Sequence, residues 1–492
     1  MPNDPAATSS PAASPAIPAT IDDLSTRERF RGLIWLVAAS FFMQALDSTI
    51  VNTAVPAVAN ALGVTPLGMR TALTSYVLTL AILIPASPWL CDRFGTRRVF
   101  GTAIAVFAIG SLLCGIAQSL PQLVVARVIQ GVGGASLMPV GRYVLARSID
   151  KREFVRAMST VATFGLLGSV LGPLLGGALV EFTSWRLIFL INIPVGIAGL
   201  LMNRRGMPDY RLDRANRFDL GGFVLFAAAS ALLLTAAELT GDPGHHALGI
   251  GACGALALLL GAVYVWHSRR TDHPVADLTL LRVRSVWVAL AGNLFTRLGI
   301  SGMFLLLVLF LQVGCGWSPL MAGLMMVPQA IGAIGAKWLI HPLLSRLGYR
   351  RLLLGNTMVV ACLLASFSLL SSTTPVWLIG TMTFVYGGFM GLQYTAMNTL
   401  VYVDLDVRHA SMASSMASTA QYLSMSFGIA LATVLMEMFL GGHAHVPAAY
   451  VGAFHAAVLL LALVTLAAAL TFLRLRPDHP THHNRALPHA VH

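Results

Sequence analysis

The sequence predicts an all-α protein that crosses a membrane many times. Hydrophobic residues make up 56% of its 492 residues and charged residues only 11%, whereas soluble domains carry about 25% charged residues. Apolar runs long enough to cross a ~30 Å hydrocarbon layer as helices recur along the whole chain. The basic residues, which give a formal net charge of +12, are concentrated in the short segments between these runs. This distribution is typical of a membrane protein and argues against a nucleic-acid partner.

Fourteen apolar runs define the predicted transmembrane helices, six before a two-helix insert and six after it. They cover residues 33–60, 71–91, 99–117, 121–146, 156–181, 185–203, 219–239, 247–267, 285–313, 320–344, 351–371, 376–402, 410–440 and 450–473. With both termini in the cytoplasm, 27 of the 32 Lys and Arg residues lie on the cytoplasmic side, and only Arg70 and Arg186 lie in outer loops. An odd number of spans would destroy this alternation, so we expect fourteen helices with both termini inside.

The pattern divides the chain into five segments. Residues 1–32 are predicted to form a disordered cytoplasmic tail, because they are rich in Ala, Pro, Ser and Thr and lack an apolar signal-peptide core. Residues 33–204 are predicted to form an N-terminal six-helix bundle, and residues 205–284 the cytoplasmic linkers and the two extra helices. Residues 285–473 form the second six-helix bundle, and residues 474–492 a His-rich cytoplasmic tail.

Two loops at matching positions indicate an internal repeat. The loop after the second span reads Asp-Arg-Phe-Gly-Thr-Arg-Arg at residues 92–98, and its counterpart reads Ser-Arg-Leu-Gly-Tyr-Arg-Arg at residues 345–351. One glycine and three arginines coincide in register. Parallel repeats of this kind are typical of transporters, so the two six-helix bundles are predicted to be structurally equivalent halves.

Asp47, in the first span, is the residue around which we organise the functional hypothesis. At ~1.5 Å per residue it lies ~20 Å into a helix that begins near Leu33, past the middle of the bilayer. A carboxylate at that depth is unfavourable by several kcal/mol, so it is expected to face a cavity and to have a function. We predict that this function is proton coupling. The alternative is that hydrogen bonds to its neighbours only fix helix packing.

A second deep charge, Arg127 in the fourth span, is predicted to act with Asp47. A fixed cation beside a buried acid determines when that acid releases its proton. The alternative is that Arg127, about six residues from the outer face, extends its side chain to the membrane surface.

Two further motifs point to conformational change. In the loop after the second span, an acid at a helix end faces several guanidinium groups, a charge network that can lock one conformation. Its members are Asp92, Arg93, Gly95, Arg97 and Arg98; a loop that only follows the positive-inside rule is the alternative.

In the fifth span, closely spaced glycines allow helix backbones to approach each other, and a proline permits a bend. These residues are Gly168, Gly172, Pro173, Gly176 and Gly177.

Together these motifs resemble the fourteen-helix drug:proton antiporters of the major facilitator superfamily, of the EmrB/QacA type. The segment 44–52 and the motif at 127–134 match, and Pro88 stands where the loop signature of the superfamily begins with glycine. The MdtD/HsrA branch is the most similar, through residues 41–47, 84–87 and 322–328. The resemblance implies a major facilitator fold in the bacterial cytoplasmic (inner) membrane and proton-driven efflux of small molecules by alternating access, without a cofactor. In this family the glycine-rich fifth span is the antiporter motif.

Polar residues within the spans are candidates for a substrate cavity. They are Gln44, Asn52, Gln130, Arg297, Lys337, Gln393, Tyr394, Asn398 and Gln421. Arg297 and Lys337 fall near mid-membrane, where a cavity or gate role is favoured. Hydrogen bonds between helices are the alternative for the uncharged ones. Glu238 and Glu437, near outer helix ends, are interpreted as solvated interfacial acids.

Other functions receive less support. The sequence contains no HExxH, GxSxG or Walker motif, and its histidines and cysteines lack metal-ligand spacing, so neither an enzyme nor a metal site is predicted. No soluble segment longer than ~30 residues is present to transmit a signal, which argues against a non-transporting membrane sensor. We expect a monomer, and the need for a periplasmic adaptor stays open.

The class of substrate also stays open. Multidrug export follows from the resemblance, but the deep charges comprise Asp47 against the three cations Arg127, Arg297 and Lys337. A cationic surplus favours small organic anions or anionic metal chelates as an alternative.

Overall fold

The computed structural model describes residues 21–149, 151–212, 217–240, 247–272, 274–405, 410–441 and 446–475. Within these ranges the long elements are all α-helices and no strand occurs, which confirms the predicted all-α class. The helices are α1 (Ile21–Ala61), α2 (Arg70–Leu83), α3 (Ser87–Phe94), α4 (Thr96–Ile116), α5 (Leu120–Ser148), α6 (Lys151–Phe182), α7 (Leu187–Leu190), α8 (Asn192–Gly206), α9 (Leu220–Leu239), α10 (Ala247–Ser268), α11 (Arg284–Ile300), α12 (Met303–Leu309), α13 (Pro319–Leu324), α14 (Val327–Ser366), α15 (Val376–Leu400), α16 (Ala410–Leu440) and α17 (Pro447–Phe472).

Twelve stretches of the described chain are long and apolar enough to cross a membrane. One of them, Pro319–Leu369, is 51 residues long and contains two of the predicted spans. Gly348 interrupts it with a non-helical backbone, φ 68° and ψ 168°. Helix α15 coincides with the predicted span 376–402 but is not among the twelve, and it contains Gln393, Tyr394 and Asn398.

The predicted tails lie mostly outside the described residues, as do the histidines at positions 443 and 445. Helix α1 begins at Ile21, so residues 21–32 are helical rather than part of a disordered tail. They continue into the first span as part of one helix that runs to Ala61.

The helices pack into two bundles, one of N-terminal and one of C-terminal helices. In the first, α1 packs against α6 and α8, and α5 packs against α2 and α4. In the second, α14 packs against α15 and α17, while α11 packs against α16 and α17. The insert helices α9 and α10 pair with each other, and α9 also contacts α2 and α16. The insert therefore covers the seam between the two bundles.

The two repeat loops share an unusual backbone conformation. Gly95 has φ 87° and ψ 144°, and Gly348 has φ 68° and ψ 168°. Only glycine populates this region readily, because a Cβ would collide with the backbone. The matched conformation supports the internal repeat that the sequence indicates.

One end of the bundle, which we call the Arg70 end, holds the connection between α1 and α2. The two halves are joined here by hydrogen bonds: Gln312 Nε2 donates to the Thr53 carbonyl at 2.9 Å, and the Leu320 amide donates to Glu181 Oε2 at 3.0 Å. A single hydrophobic core at this end contains residues of both halves, among them Val58. The halves are thus closed against each other at the Arg70 end.

Candidate functional site

Asp47 lies in the interior of the N-terminal half, with 0% of its surface exposed. Helix α1 brings it between α4, α5 and α8, which supply Ser111, Arg127 and Asn192 respectively. The two α5 residues of the site, Arg127 and Gln130, are three positions apart and therefore share one helix face. The sequence thus places a charged and an amide side chain side by side against α1.

The carboxylate of Asp47 accepts hydrogen bonds from three side chains. Arg127 Nη1 donates to Oδ2 at 2.7 Å, while Gln130 Nε2 donates to Oδ1 at 2.7 Å and Asn192 Nδ2 at 3.2 Å. A buried carboxylate is stable only when a counter-charge and hydrogen bonds replace its lost hydration. Here Arg127, itself buried, supplies both.

Arg127 and Gln130 close a ring around the acid. Arg127 Nη1 also donates to Gln130 Oε1 at 2.7 Å, and Gln130 Nε2 also donates to Ser111 Oγ at 2.7 Å. On the other side the Arg127 guanidinium lies over the Tyr76 ring, with Cζ 4.0 Å from the ring centroid. This cation–π contact holds the guanidinium against α2. The Tyr76 hydroxyl is buried and has no hydrogen-bond partner among the described residues.

The structure places one of the predicted cavity residues in the Asp47 site instead. Gln130, a candidate for the substrate cavity, is fully buried, and both the oxygen and the nitrogen of its amide form hydrogen bonds within the Asp47 site. Ser111, Asn192 and Tyr76 belong to the site, although sequence reasoning assigned them no role. The available signal was that each is a polar residue within an apolar span.

Three glycines of α6 pack directly against the helix that holds Asp47. A Cβ at Gly168 would lie 2.6 Å from the Phe42 carbonyl, and one at Gly176 would lie 2.5 Å from the Ile50 carbonyl. A Cβ at Gly172 would collide with Thr49 Oγ1. The spacing of four residues places all three on one face of α6. Asp47 thus lies within the stretch of α1 that this face contacts.

The remaining two residues of the motif contact the other half. A Cβ at Gly177 would collide with the Pro319 carbonyl, and a Cβ at Gly323 would collide with the Pro173 carbonyl. Helix α6 therefore contacts the Asp47 helix on one side and α13 of the C-terminal half on the other.

The loop at residues 92–98 binds the linker that follows α8. The Thr96 amide donates to the Tyr210 carbonyl at 3.1 Å, the Leu212 amide donates to the Asp92 carbonyl at 3.2 Å, and the Arg97 amide donates to Asp209 Oδ1 at 3.2 Å. A Cβ at Gly95 would collide with the same Asp209 carboxylate. The side chains of Arg93, Arg97 and Arg98 are exposed.

The second half contains a buried cation with a different set of partners. Arg297 is 6% exposed, donates from Nε to Asn293 Oδ1 at 2.5 Å, and lies over the Tyr394 ring with Cζ 3.7 Å from the centroid. No carboxylate of the described residues lies within ion-pair distance of it. Arg297 is thus a buried positive charge held by an amide and an aromatic ring.

The other cavity candidates differ in exposure. Gln393 is fully buried and is bonded to Asn356 and Thr357. Gln44 and Asn52 are nearly buried, and Gln421 is half-buried. Asn398 and Lys337 are exposed.

A groove of about 410 Å³ lies on another surface, between α3, α4 and α5. Its lining is mainly apolar and includes Leu90, Phe94, Arg98 and Val132. It contains neither Asp47 nor Arg297, so it is separate from the buried charges described above.

Fold and site together define a multi-pass membrane protein with an acid–base pair buried in one of two helical halves. The sequence profile of the Major Facilitator Superfamily matches residues 37–429. The chain belongs to this superfamily of transporters and is therefore not an enzyme, as the sequence predicted.

Sequence relatives agree along nearly the whole chain. The protein named "Putative multidrug resistance protein MdtD" from Serratia proteamaculans is 40% identical over 463 residues, which cover 92% of this chain and 95% of the relative. Its namesake from Yersinia enterocolitica is 40% identical over 470 residues, with 94% and 98% covered. The resemblance to the MdtD branch is confirmed.

Solved structures show the same fold at low sequence identity. A bacterial homologue of the human lysosomal transporter Spinster, in an inward-facing and unoccupied conformation, aligns with TM-score 0.63 and 14% identity over 91% of this chain and 97% of its own. An auto-inhibited peptide transporter of the POT family aligns with TM-score 0.64 and 16% identity over 91% and 96%. These likenesses establish the major facilitator fold.

Proposed function

We propose that this protein is a proton-coupled exporter that moves drugs and other xenobiotics out of a bacterial cell by alternating access. The observation that supports this most is the fully buried ion pair of Asp47 and Arg127. The names of the MdtD relatives support the substrate class. The relevant membrane is the bacterial cytoplasmic (inner) membrane.

Proton binding at Asp47 changes the charge of a closed site. In the ionised state the carboxylate neutralises Arg127 and accepts three hydrogen bonds. A proton on Asp47 would remove the negative charge and leave Arg127 buried without a counter-ion. Because an uncompensated buried charge is unfavourable by several kcal/mol, the helices would rearrange to hydrate or re-pair Arg127. The two protonation states therefore favour two conformations.

Helix α6 provides a mechanical route from the site to the other half. It packs through Gly168, Gly172 and Gly176 against α1, and through Pro173 and Gly177 against α13. Close-packed backbones leave little space to absorb a shift, so a movement of α1 would displace α6 against the C-terminal half. The loop at 92–98 would act as the conformational gate on the cytoplasmic side.

The topology that we propose has fourteen spans with both termini in the cytoplasm. The break at Gly348 divides the 51-residue apolar stretch into two spans, and α15 supplies a further one. The Arg70 end then faces outward. In this orientation the closed Arg70 end bars access from the outside.

Transport in inverted vesicles under an imposed pH gradient tests the proposal. We expect gradient-dependent accumulation of cationic dyes in vesicles with the native protein, and loss of at least ~100-fold in Asp47→Asn, because Asn cannot exchange a proton at this site. Asp277→Asn is the control, since Asp277 caps a short helical turn at an exposed position. Asn retains that capping ability.

The outcome distinguishes coupling from packing. Asp47→Asn keeps the size of the side chain but replaces one acceptor oxygen with an N–H donor. A folded variant that still binds dye but does not couple supports the proposal. Full gradient-driven transport in Asp47→Asn, or transport that persists without a gradient, would contradict it.

A second candidate function is the export of small organic anions or anionic metal chelates. Arg297 favours it, because a buried guanidinium with an aromatic ring on one face and no carboxylate partner among the described residues can bind an anion. Lys337, which is exposed, and Arg127, which is paired, add less to this argument. The same vesicles, screened with small carboxylates, separate the two candidates: exclusive transport of cations would exclude the anion hypothesis.

A further inference from the structure

A cluster of charged residues at the Arg70 end joins both halves and the two-helix insert. Arg70 Nη1 of α2 forms an ion pair with Glu437 Oε2 of α16. Arg70 Nη2 donates to the backbone carbonyl of Glu238 in α9 at 2.9 Å, and Thr74 Oγ1 donates to the Glu238 carboxylate at 2.5 Å. The sequence interpretation of Glu238 and Glu437 as solvated interfacial acids is therefore wrong. Both are held in contacts between helices.

The cluster is largely removed from solvent. Arg70 is 8% exposed, and the Glu437 side chain is 20% exposed. Helix α9 is packed against both partner helices by apolar side chains, with Leu78 of α2, Leu234 of α9 and Ala430 of α16 in one buried group. Ion pairs in such partly buried positions are less screened than those on open surfaces.

We infer that Glu238, Arg70 and Glu437 form a proton-sensitive latch that holds the Arg70 end closed, and that the insert is a working part of it. The Glu437 carboxylate pairs with the Arg70 guanidinium, and the Glu238 carboxylate is bonded to Thr74 instead, so the cluster of two acids and one arginine carries a formal charge of −1 when fully ionised. Protonation of Glu437 removes the only ion pair between α2 and α16 in the described chain. Protonation of Glu238 weakens the bond that links the insert to α2, because a neutral carboxyl is a weaker acceptor for Thr74 Oγ1.

Other groups of the described residues also face the cluster. Tyr450 of α17 lies close enough to Glu437 to interact with its charge. On the α2 side the facing groups are Arg70 and the hydroxyl of Thr74, whose backbone carbonyl accepts a hydrogen bond from Ser426 of α16 at 3.1 Å. The two acids of the cluster lie on α9 and α16, whereas Arg70 lies on α2, the helix that also supplies Tyr76 to the Asp47 site.

The direction of the pH effect follows from the closed state. At higher pH the ion pair is intact and favours closure, whereas at lower pH protonated acids release Arg70 and favour opening of the Arg70 end. In the proposed orientation this end faces the acidic side of the membrane, so external protons would open the path by which protons reach Asp47. The latch itself does not depend on proton coupling at Asp47; only its role in transport rests on the proposed function.

Distance measurements between spin labels test the latch directly. The labels are placed at the exposed positions Ala61 and Ser372, one in each half, in the full-length protein in lipid nanodiscs, with the five native cysteines replaced. We expect the long-distance population to rise about tenfold from pH 8 to pH 5 in the unmodified cluster. Glu437→Gln should be open at both pH values, and Glu238→Gln should reduce the response to about threefold or less.

Matched variants separate the latch from general damage. Arg70→Glu alone should open the Arg70 end, and Arg70→Glu with Glu437→Arg should close it again at pH 8, because the ion pair is restored with reversed charges. Glu181→Gln is the comparison, since Glu181 also bonds across the halves but does so to a backbone amide. A full pH response in both Glu238→Gln and Glu437→Gln would overturn the inference, as would loss of the response in Glu181→Gln alone.

The Asp47→Asn variant keeps the two proposals distinguishable. Because Asn is neutral like protonated Asp47, the variant should shift the distances at both pH values, but it should retain a pH-dependent change in distance although it no longer couples transport to protons. Loss of the distance change in Asp47→Asn would assign the pH response to the Asp47 site and would refute an independent latch.

Discussion

Asp47 and Arg297 are both buried, yet their surroundings differ in kind. Asp47 has a cation and two amides as partners, so its site is closed and complete in this conformation. Arg297 has one amide oxygen and the face of Tyr394. A complete site can change only when its own protonation changes, whereas a cation without a carboxylate retains capacity for an anion. This difference supports the proposal of proton coupling in the first half and favours anion recognition in the second.

The Asp47–Arg127 pair is expected to show strong non-additivity in stability. Asp47→Asn leaves Arg127 buried without an anion, and Arg127→Gln leaves Asp47 buried without a cation, so each should lower the free energy of unfolding by about 3–5 kcal/mol. The double variant removes both charges and should lose less than the sum of the two. Thermal unfolding of the purified protein in detergent measures the three values.

A charge pair elsewhere provides the control for this cycle. Asp219 and His267 join the start of α9 to the end of α10, with Nε2 and Oδ1 2.7 Å apart. His267 is partly exposed, so the corresponding cycle with Asp219→Asn and His267→Gln should give a smaller coupling. Additive losses for Asp47→Asn and Arg127→Gln would mean that the two residues act independently.

The residues of the site were only partly predictable from the chain. Asp47 and Arg127 stand out because charges within apolar runs are rare and unfavourable. Ser111 and Asn192 do not stand out, because a single hydroxyl or amide is tolerated in a membrane helix in many roles. The sequence identified Gln130 as a polar residue within a span but did not identify its partner. The sequence cannot tell whether an amide faces a cavity or a neighbouring carboxylate.

At the scale of the helix, the α1–α6 contact is the element on which the proposed coupling depends. Its glycines recur every four residues, and each lies where a side chain would collide with α1. The pattern in the sequence therefore predicted a close helix contact, since small residues at this spacing allow backbones to approach. It did not identify the partner, which the structure shows to be the helix of Asp47.

Gly172→Ala should impair transport because the added methyl group collides with Thr49 Oγ1, two residues from Asp47. We expect a stability loss of about 1–3 kcal/mol and at least ~10-fold slower transport, since a displaced α1 misplaces the carboxylate. Vesicle transport and thermal unfolding measure the two effects.

Gly165→Ala is the matched control on the same helix. A Cβ there would lie 3.6 Å from Phe41 Cδ1, an ordinary contact, and alanine favours the helix over glycine. This variant should be as active as the native protein. Equal effects of Gly165→Ala and Gly172→Ala would show that α6 tolerates no change in general, and that the contact with Asp47's helix is not special.

For the whole molecule, the insert has a position that its sequence did not reveal. Composition shows that two apolar helices connect the halves. Helices of this composition could pack anywhere on the perimeter of the bundle. The structure puts α9 on the seam between α2 and α16, with Glu238 bonded to the first half. An insert at a seam can affect how the halves move, whereas one on the outer wall of a single half cannot.

The proposed fourteen-span topology makes a prediction for the long stretch Pro319–Leu369. Truncations fused to reporter proteins should give a fluorescent cytoplasmic reporter after Leu347 and an active periplasmic phosphatase after Ser372, because the positive-inside rule keeps the Arg-rich loop in the cytoplasm. Fusion assays in cells measure both. Phosphatase activity after Leu347 would contradict two spans in this stretch, and a fusion after Ala61, expected to be periplasmic, controls for export.

By itself, the sequence determined that this is an all-α membrane protein of two related halves, with one acid and one arginine buried in the first half. Those features follow from composition, from the 3.6-residue period of helices and from the cost of burying charge, all of which are local. Only the tertiary structure decided which polar residues surround Asp47, which helix the α6 glycines contact and where the insert lies. These depend on contacts between residues far apart in the chain, such as Arg70 with Glu437, and no local pattern records which distant segment a helix face will meet.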